Sequence, residues 1–405
     1  MVERVVRLIQ GGVTSAQGFV ASGVHCGIKP EKKDLALVYS RAPASAAGVF
    51  TTNKVKAPPV LFNMERIRSG RGQAVVLSSG NANSCTGEQG MRDAREMAEL
   101  TAHYLGIADD LVYVCSTGII GRPLPMDAIR QGIPEVVRLL SPDGTTAAEA
   151  IMTTDTVPKA AAVQVPIGAQ VVTVGGMTKG AGMIHPQMAT TLTVLTTDAA
   201  VAPPVLAAAL RRAADQSFNR ITVDGDRSTN DTILLLANGE AGVPEITGPG
   251  DALEAFQSAL TTAAVTLAKM LARDGEGATK FVEIVVRGAQ NDADAHRAGQ
   301  AVAISPLVKT AIYGGSPNWG RILAAVGASG AEVAADRVAV WMGPVPVAER
   351  GVAAEDPESA EEAARYLAGE DVQITVDLGL GKGEATVWTC DLTEAYVREN
   401  AGLLS

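Results

Sequence analysis

The chain has 405 residues, 47% of them apolar and 19% charged, and a formal net charge of −10. That balance is globular, which excludes a disordered or fibrous chain, and the length calls for two or three substructures. The acidic surplus and the lack of any Lys/Arg-rich run argue against a nucleic-acid partner, because displacing counterions from a phosphate backbone needs a basic face.

Cys26, Cys85, Cys115 and Cys390 are far apart, as are His25, His103, His185 and His296. No C-x-x-C or Cys/His cluster offers a zinc site, so no metal is expected, and free thiols suit a reducing compartment. The opening MVERVVRLIQGG is broken by Glu3 and Arg7, and no stretch approaches the roughly 20 apolar residues of a membrane span. A cytoplasmic protein without a membrane partner is expected.

In chain order, residues 34–40, 46–52, 74–79 and 111–116 are short aliphatic runs bounded by Gly, Ser or Asn, and read as strands. Residues 91–105 carry Met97, Leu100 and Tyr104 at helical spacing, with Gly106 at the C′ position. A second helix is predicted over 126–140, weakened by Gly132 and Pro134 in its middle. Residues 160–175 read as a hairpin turning at Pro166, Ile167 and Gly168. The segment after 190 reads as a strand buried on both faces. Helices follow over 203–216 and 251–273, the latter stopping at Asp274-Gly275, just before Glu276. Pro357 and Gly369 bracket a helix over 357–368. Residues 372–378 and 384–389 are expected to pair as a hairpin across GLGKG. A final helix is expected to open at Asp391, with Glu394 completing a capping-box-like start and Asn400 as its C′ residue.

The most informative passage runs from Gly175 to Ala199. A glycine-rich stretch ends in His185-Pro186-Gln187-Met188-Ala189, and a β-branched run opens with Thr190-Thr191. A hydroxyl residue leading a rigid strand behind a loop is the layout of an N-terminal-nucleophile enzyme. The hydroxyl attacks the carbonyl before it, an N→O acyl shift gives an ester, and water frees a new N-terminus. The freed α-amine, with a reference pKa near 7.7–8.0, then serves as base for its own hydroxyl. Pattern alone favours a plain glycine-rich turn before a core strand. LGLGKG at 378–383 lacks the phosphate-loop spacing and reads as a hairpin loop. Asp224 and Asp226 in VDGD are weak cation candidates.

KGAGMIHPQMATT resembles the self-cleavage signature of the ornithine acetyltransferase (glutamate N-acetyltransferase) family of arginine biosynthesis, close to K-G-[SA]-G-M-I-x-P-N-M-A-T-M-L. Lys179, Gly180, Gly182, Met183, Ile184, Pro186, Met188, Ala189, Thr190 and Leu192 match. Gln187 replaces the common Asn and Thr191 the common Met. SSGNANSCTG (78–87), STGIIGRPLPM (116–126), IMTTDTVPK (151–159), FNRITVDGDRSTNDT (218–232), ARDGEGATK (272–280) and SPLVKTAIYGGSPNWGRI (305–322) resemble further family blocks in order. Ser316 stands where Asp is frequent.

The resemblance implies an α/β (α+β) fold of stacked mixed β-sheets flanked by helices, like the DmpA-type self-processing N-terminal-nucleophile proteins. It implies cleavage between Ala189 and Thr190, giving an α chain of residues 1–189 and a β chain of 190–405, assembled as α2β2. Thr190 becomes the nucleophile. Thr117 and Gly118 match the oxyanion hole. Thr156, Lys179, Thr190, Glu276, Asn400 and Ser405 match substrate-binding positions. The implied reaction moves an acetyl group from N2-acetylornithine to glutamate by a ping-pong route. No bound cofactor is implied, and acetyl-CoA stays open as a second donor. Two other classes remain alternatives: a hydrolase of N-terminal amino-acid amides on the same scaffold, and an uncut binding protein.

Overall fold

The computed structural model describes residues 5–185 and 191–402. Nine strands build a first mixed sheet: β1 (Arg7–Ile9), β2 (Phe19–Val24), β3 (Leu35–Phe50), β4 (Arg71–Asn81), β5 (Val112–Ile119), β6 (Lys159–Ile167), β7 (Gln170–Lys179), β8 (Leu192–Thr197) and β9 (Thr232–Ala237). Their order is β1-β6-β7-β8-β9-β3-β4-β5, and β2 also pairs with β3. A second sheet holds β10 (Phe281–Ala289), β11 (Ala339–Met342), β12 (Val345–Glu349), β13 (Val352–Ala353), β14 (Asp371–Asp377) and β15 (Gly383–Cys390), in the order β13-β12-β11-β14-β10-β15. The helices are α1 (Pro58–Arg66), α2 (Gly87–Leu105), α3 (Met126–Arg138), α4 (Thr145–Ala150), α5 (Pro203–Gln216), α6 (Asp251–Arg273), α7 (Asp292–Ile304), α8 (Pro306–Tyr313), α9 (Trp319–Gly327), α10 (Ser359–Leu367) and α11 (Glu394–Ala401). The architecture is the expected α/β one, with mixed sheets flanked by helices.

Two predicted strands, 34–40 and 46–52, are one long strand, β3. Its register against β4 shifts between Tyr39 and Ala44, so its first half pairs with β2 and its second half with β9. A bulge lets one strand bend between two neighbours. Alternate residues then face opposite cores. Leu35, Leu37, Val76 and Val114 meet α2 and α3, while Ala36, Val38, Leu77 and Cys115 face the other side.

α6 follows its predicted span, and Phe256, Leu260, Ala264, Leu267 and Leu271 are buried against β6 and β7. Fully burying one such large side chain contributes about 1.5–3 kcal/mol. α3 runs unbroken through Pro134, and the absent Cβ of Gly132 admits Cys26.

The 160–175 hairpin forms, but its turn is only Gly168-Ala169, because Ile167 pairs with Gln170. Pro166 stays in β6 beyond the last residue paired with β1, so no neighbour there needs its missing N–H.

Two expectations near the C-terminus are corrected. β14 and β15 do not pair with each other, since β10 lies between them, parallel to β14 and antiparallel to β15. The GLGKG segment instead wraps the end of β10, with the Leu378 amide donating to Arg287 and the Leu380 and Gly381 amides to Gly288. Burying Val282, Ile284 and Val286 between two partners outweighs the short local turn. The last helix starts at Glu394, not Asp391, and Thr393 caps it. Asp391 instead accepts the Thr279 and Lys280 amides.

Among the described residues, no helix is long and apolar enough to cross a membrane. β8 lies between β7 and β9 within one sheet, so the segments before and after position 190 share a sheet.

Candidate active site

The ends of β4, β5 and β7 and the starts of β8 and β9 meet at one edge of the first sheet, and a cavity of about 440 Å³ opens there. That volume suits a small ligand. Its walls include Thr117, Gly118, Lys179, Thr191, Asp231, Glu276 and Asn400. Residues 28–30 and the loop holding Thr153 and Thr154 complete it.

Thr117 and Gly118 close β5, where Gly118 pairs with Gly80 of β4. Gly118 has φ +130, and a Cβ on it would lie 2.3 Å from the Gly80 carbonyl carbon and 2.6 Å from the Asn81 nitrogen. Only glycine fits, which explains the tight turn that presents the Thr117 hydroxyl to the cavity.

Lys179 ends β7. Its ammonium donates to the Thr153 hydroxyl at 2.6 Å and to the Thr117 hydroxyl at 3.3 Å. Because Thr117 oxygen accepts from Lys179, its own proton is free to point at a ligand. Burial pulls the Lys179 pKa down, against the pull of Asp155. A buried ammonium satisfied only by hydroxyls is a strong site for a carboxylate.

Glu276 follows α6 and reaches the same cavity. The Thr154 hydroxyl donates to it at 2.6 Å and the Asn400 amide at 2.8 Å. A Cβ on Gly182 would fall 2.3 Å from the Glu276 carboxylate, so that glycine lets the loop pass close over the acid. Asn400 lies in the last turn of α11 rather than beyond it, and its amide spans from Glu276 to the Tyr396 carbonyl.

Beneath the cavity lies a charged network that sequence reading did not single out. Lys159, 1% exposed, bridges Asp155 at 2.6 Å and Asp274 at 2.5 Å. Asp155 also accepts the Gly180 amide at 2.7 Å and the Thr153 amide at 3.0 Å. Burial would raise the Asp155 carboxyl, but Lys179 and Lys159 outweigh it and hold it down at about 2. Thr156 belongs to this network, its amide and hydroxyl both on Asp274, and it is not among the residues lining the cavity. Thr153 and Thr154 hold the wall positions.

Both flanks of the 186–190 segment are anchored. Before it, the Met183 and Ile184 amides donate to Asp224 at 2.6 and 2.9 Å, so that carboxylate is engaged by backbone, and burial raises its pKa. After it, the Thr191 carbonyl accepts the Thr232 amide at 2.8 Å. Asp231, beside Thr232, is buried; burial raises its carboxyl well above the usual range, and its Oδ2 has no hydrogen-bond partner among the described residues. Ala189, Thr190 and Ser405 lie outside the described residues. No group of three or more His, Cys, Asp or Glu able to hold a metal occurs among the described residues.

Fold and site together define an α/β protein, mixed sheets flanked by helices, with a small-ligand cavity at one edge of its first sheet. The chain belongs to the ArgJ family, whose model matches residues 20–405. It is 54% identical to the arginine biosynthesis bifunctional protein ArgJ of Symbiobacterium thermophilum over 97% of this chain and 98% of that one. It is 51% identical to the protein of the same name from Geobacter sulfurreducens, over 96% and 99%. A solved structure of the Bacillus halodurans protein of that name is 44% identical at TM-score 0.50, over 52% of this chain and 98% of that one. The chain is thus an acetyltransferase of arginine biosynthesis.

Proposed function

We propose that this chain is cut between Ala189 and Thr190 and then works as a glutamate N-acetyltransferase, passing acetyl from N2-acetylornithine to glutamate through an acetyl-threonine ester. The observation that carries the reading is the convergence of Thr117, Gly118, Lys179, Glu276 and Asn400 on one cavity whose wall includes Thr191, the residue after the severed position. A solved relative matched over 98% of its own chain spans only 52% of this one, which suits a processed polypeptide.

In the first half-reaction the α-amine of Thr190 takes the hydroxyl proton while its oxygen attacks the acetyl carbonyl. The tetrahedral oxyanion rests on the Thr117 hydroxyl and the Gly118 N–H, each such donor contributing about 3–4 kcal/mol. The C–N bond breaks, the Thr190 ammonium protonates the departing amine, and ornithine leaves. Glutamate's α-amine then attacks the ester, Thr190 recovers its proton, and N-acetylglutamate departs. Lys179 pairs with the α-carboxylate of each substrate. Glu276, oriented by Asn400 and Thr154, holds an ammonium group. Thr156 and Ser405 enter this assignment through the family resemblance.

The mature protein is an α2β2 assembly of residues 1–189 and 190–405, cytoplasmic, with no bound cofactor, and acetyl-CoA is a second donor to be tried. Intact mass is the decisive measurement. Wild type should give two fragments and Thr190→Ala one uncut, inactive chain. Acetyl transfer by an uncut chain would overturn the reading, and release of acetate without glutamate would favour a hydrolase.

A further inference from the structure

Three consecutive residues, of which Thr153 and Thr154 line the cavity, each hold a charged group. The Met152 carbonyl accepts from Lys29 at 2.6 Å, the Thr153 hydroxyl accepts from Lys179 at 2.6 Å, and the Thr154 hydroxyl donates to Glu276 at 2.6 Å. The loop therefore sets two ammonium groups and one carboxylate in a fixed series. Lys179 and Glu276 already have parts in the proposed reaction, whereas Lys29 has none.

Lys29 is not a loose surface lysine. Its backbone belongs to a turn folded over the buried Asp34 carboxylate, which accepts the amides of Cys26, Gly27, Ile28 and Lys29 at 2.7 to 3.1 Å. Four amides on one carboxylate fix the point from which the side chain leaves. Its ammonium donates to the carbonyls of Lys33 at 2.9 Å and Met152 at 2.6 Å. An ammonium has three donors, so one remains, and Lys29 lines the cavity. Lys179 is in the same condition, with two hydroxyl acceptors and one donor left. The acceptors of both lysines are neutral carbonyls and hydroxyls, so neither ammonium is tied up in a direct ion pair with a carboxylate among the described residues.

We propose that Lys29 and Lys179 form a pair of carboxylate sites that select a dicarboxylic amino acid, with the α-carboxylate on Lys179 and the side-chain carboxylate on Lys29. This rests on the acetyl-transfer reading and deepens it. The acetyl donor carries one carboxylate and a cationic side chain, and the acceptor carries two carboxylates. A site serving both in turn needs a cation for one side chain and an anion for the other. Lys29 and Glu276 supply them from opposite ends of the 152–154 loop.

The test uses the full chain and steady-state kinetics with each substrate varied. Lys29→Met should raise the KM for glutamate about tenfold or more, the loss of one charge-assisted hydrogen bond. The KM for N2-acetylornithine should stay level or fall, because that side chain is repelled by Lys29. Lys29→Gln, which keeps hydrogen bonding without charge, should act like Lys29→Met if charge is what matters. Equal shifts in both KM values, or a normal glutamate KM in either variant, would overturn the proposal and leave Lys29 a tie between loops. Calorimetric titration with glutarate and butyrate gives an independent readout. Wild type should prefer glutarate, and Lys29→Met should abolish the preference. If wild type transfers no acetyl group yet prefers glutarate through Lys29, the reaction assignment fails and the dicarboxylate site stands. If wild type binds both acids alike, the site fails by itself.

Discussion

Replacing Lys159 with Met tests whether the charged network under the cavity holds the site in shape. Lys159 lies between two carboxylates, Asp155 fully buried and Asp274 nearly so, at 2.6 and 2.5 Å. Methionine keeps most of the volume but removes the shared cation and leaves two acids facing each other. Breaking a buried pair in this way costs about 3–5 kcal/mol. Part of that cost is visible through pH. The Asp155 carboxyl is held near 2 instead of its ordinary 3.8, a gap worth about 2 kcal/mol of stability at neutral pH. Because the folded value is the lower one, that stability is present above about pH 4 and is lost as pH falls toward 2. Lys159→Met raises the folded value, so the deficit against wild type should be largest near pH 7 and shrink as Asp155 protonates. Urea unfolding of both proteins from pH 7 down to pH 3 measures it. A loss below about 1 kcal/mol at pH 7, or one that does not shrink in acid, would refute the reasoning. Since Asp155 also holds the Gly180 and Thr153 amides, kcat should fall with stability.

Gly118→Ala should fail even though it adds one methyl group. Its Cβ would meet the Gly80 and Asn81 backbone at φ +130, so the strand end must shift. The expected cost is about 2 kcal/mol or more in stability, with a roughly 100-fold loss in kcat, and melts plus initial rates check both. Glutamate affinity should fall as pH rises past about 8. Burial lowers the Lys29 pKa to about 8; Asp34 and Asp155 pull it up, and Lys179 and Lys32 push it down. The deprotonated amine cannot pair with a carboxylate, so the glutamate KM should climb above that pH in wild type and stay flat in Lys29→Met. A flat wild-type profile between pH 7 and 9 would contradict the assignment.

Local pattern fixed much of this protein. The apolar period of residues 251–273 defines α6 to the residue, because a stripe every three or four positions has one way to be buried. Gly106 ends α2 where expected, since a left-handed cap acts through the glycine's own backbone dihedrals. The motifs also brought Thr117, Gly118, Lys179, Glu276 and Asn400 forward by number, and these five share one cavity. Non-local choices stayed hidden. That β10 would separate β14 from β15 depends on which strand can bury Val282, Ile284 and Val286 between two partners, a question no short segment answers. The roles of Lys29, Thr153, Thr154 and Lys159 were equally invisible. Each depends on a partner brought near by folding, with Lys179 and Thr153 26 positions apart and Lys159 and Asp274 115 apart. Sequence names groups able to do chemistry, but only the packed chain sets the distances that decide which charges meet, because a hydrogen bond is lost beyond about 3.5 Å and Coulomb attraction weakens with separation and with exposure to water.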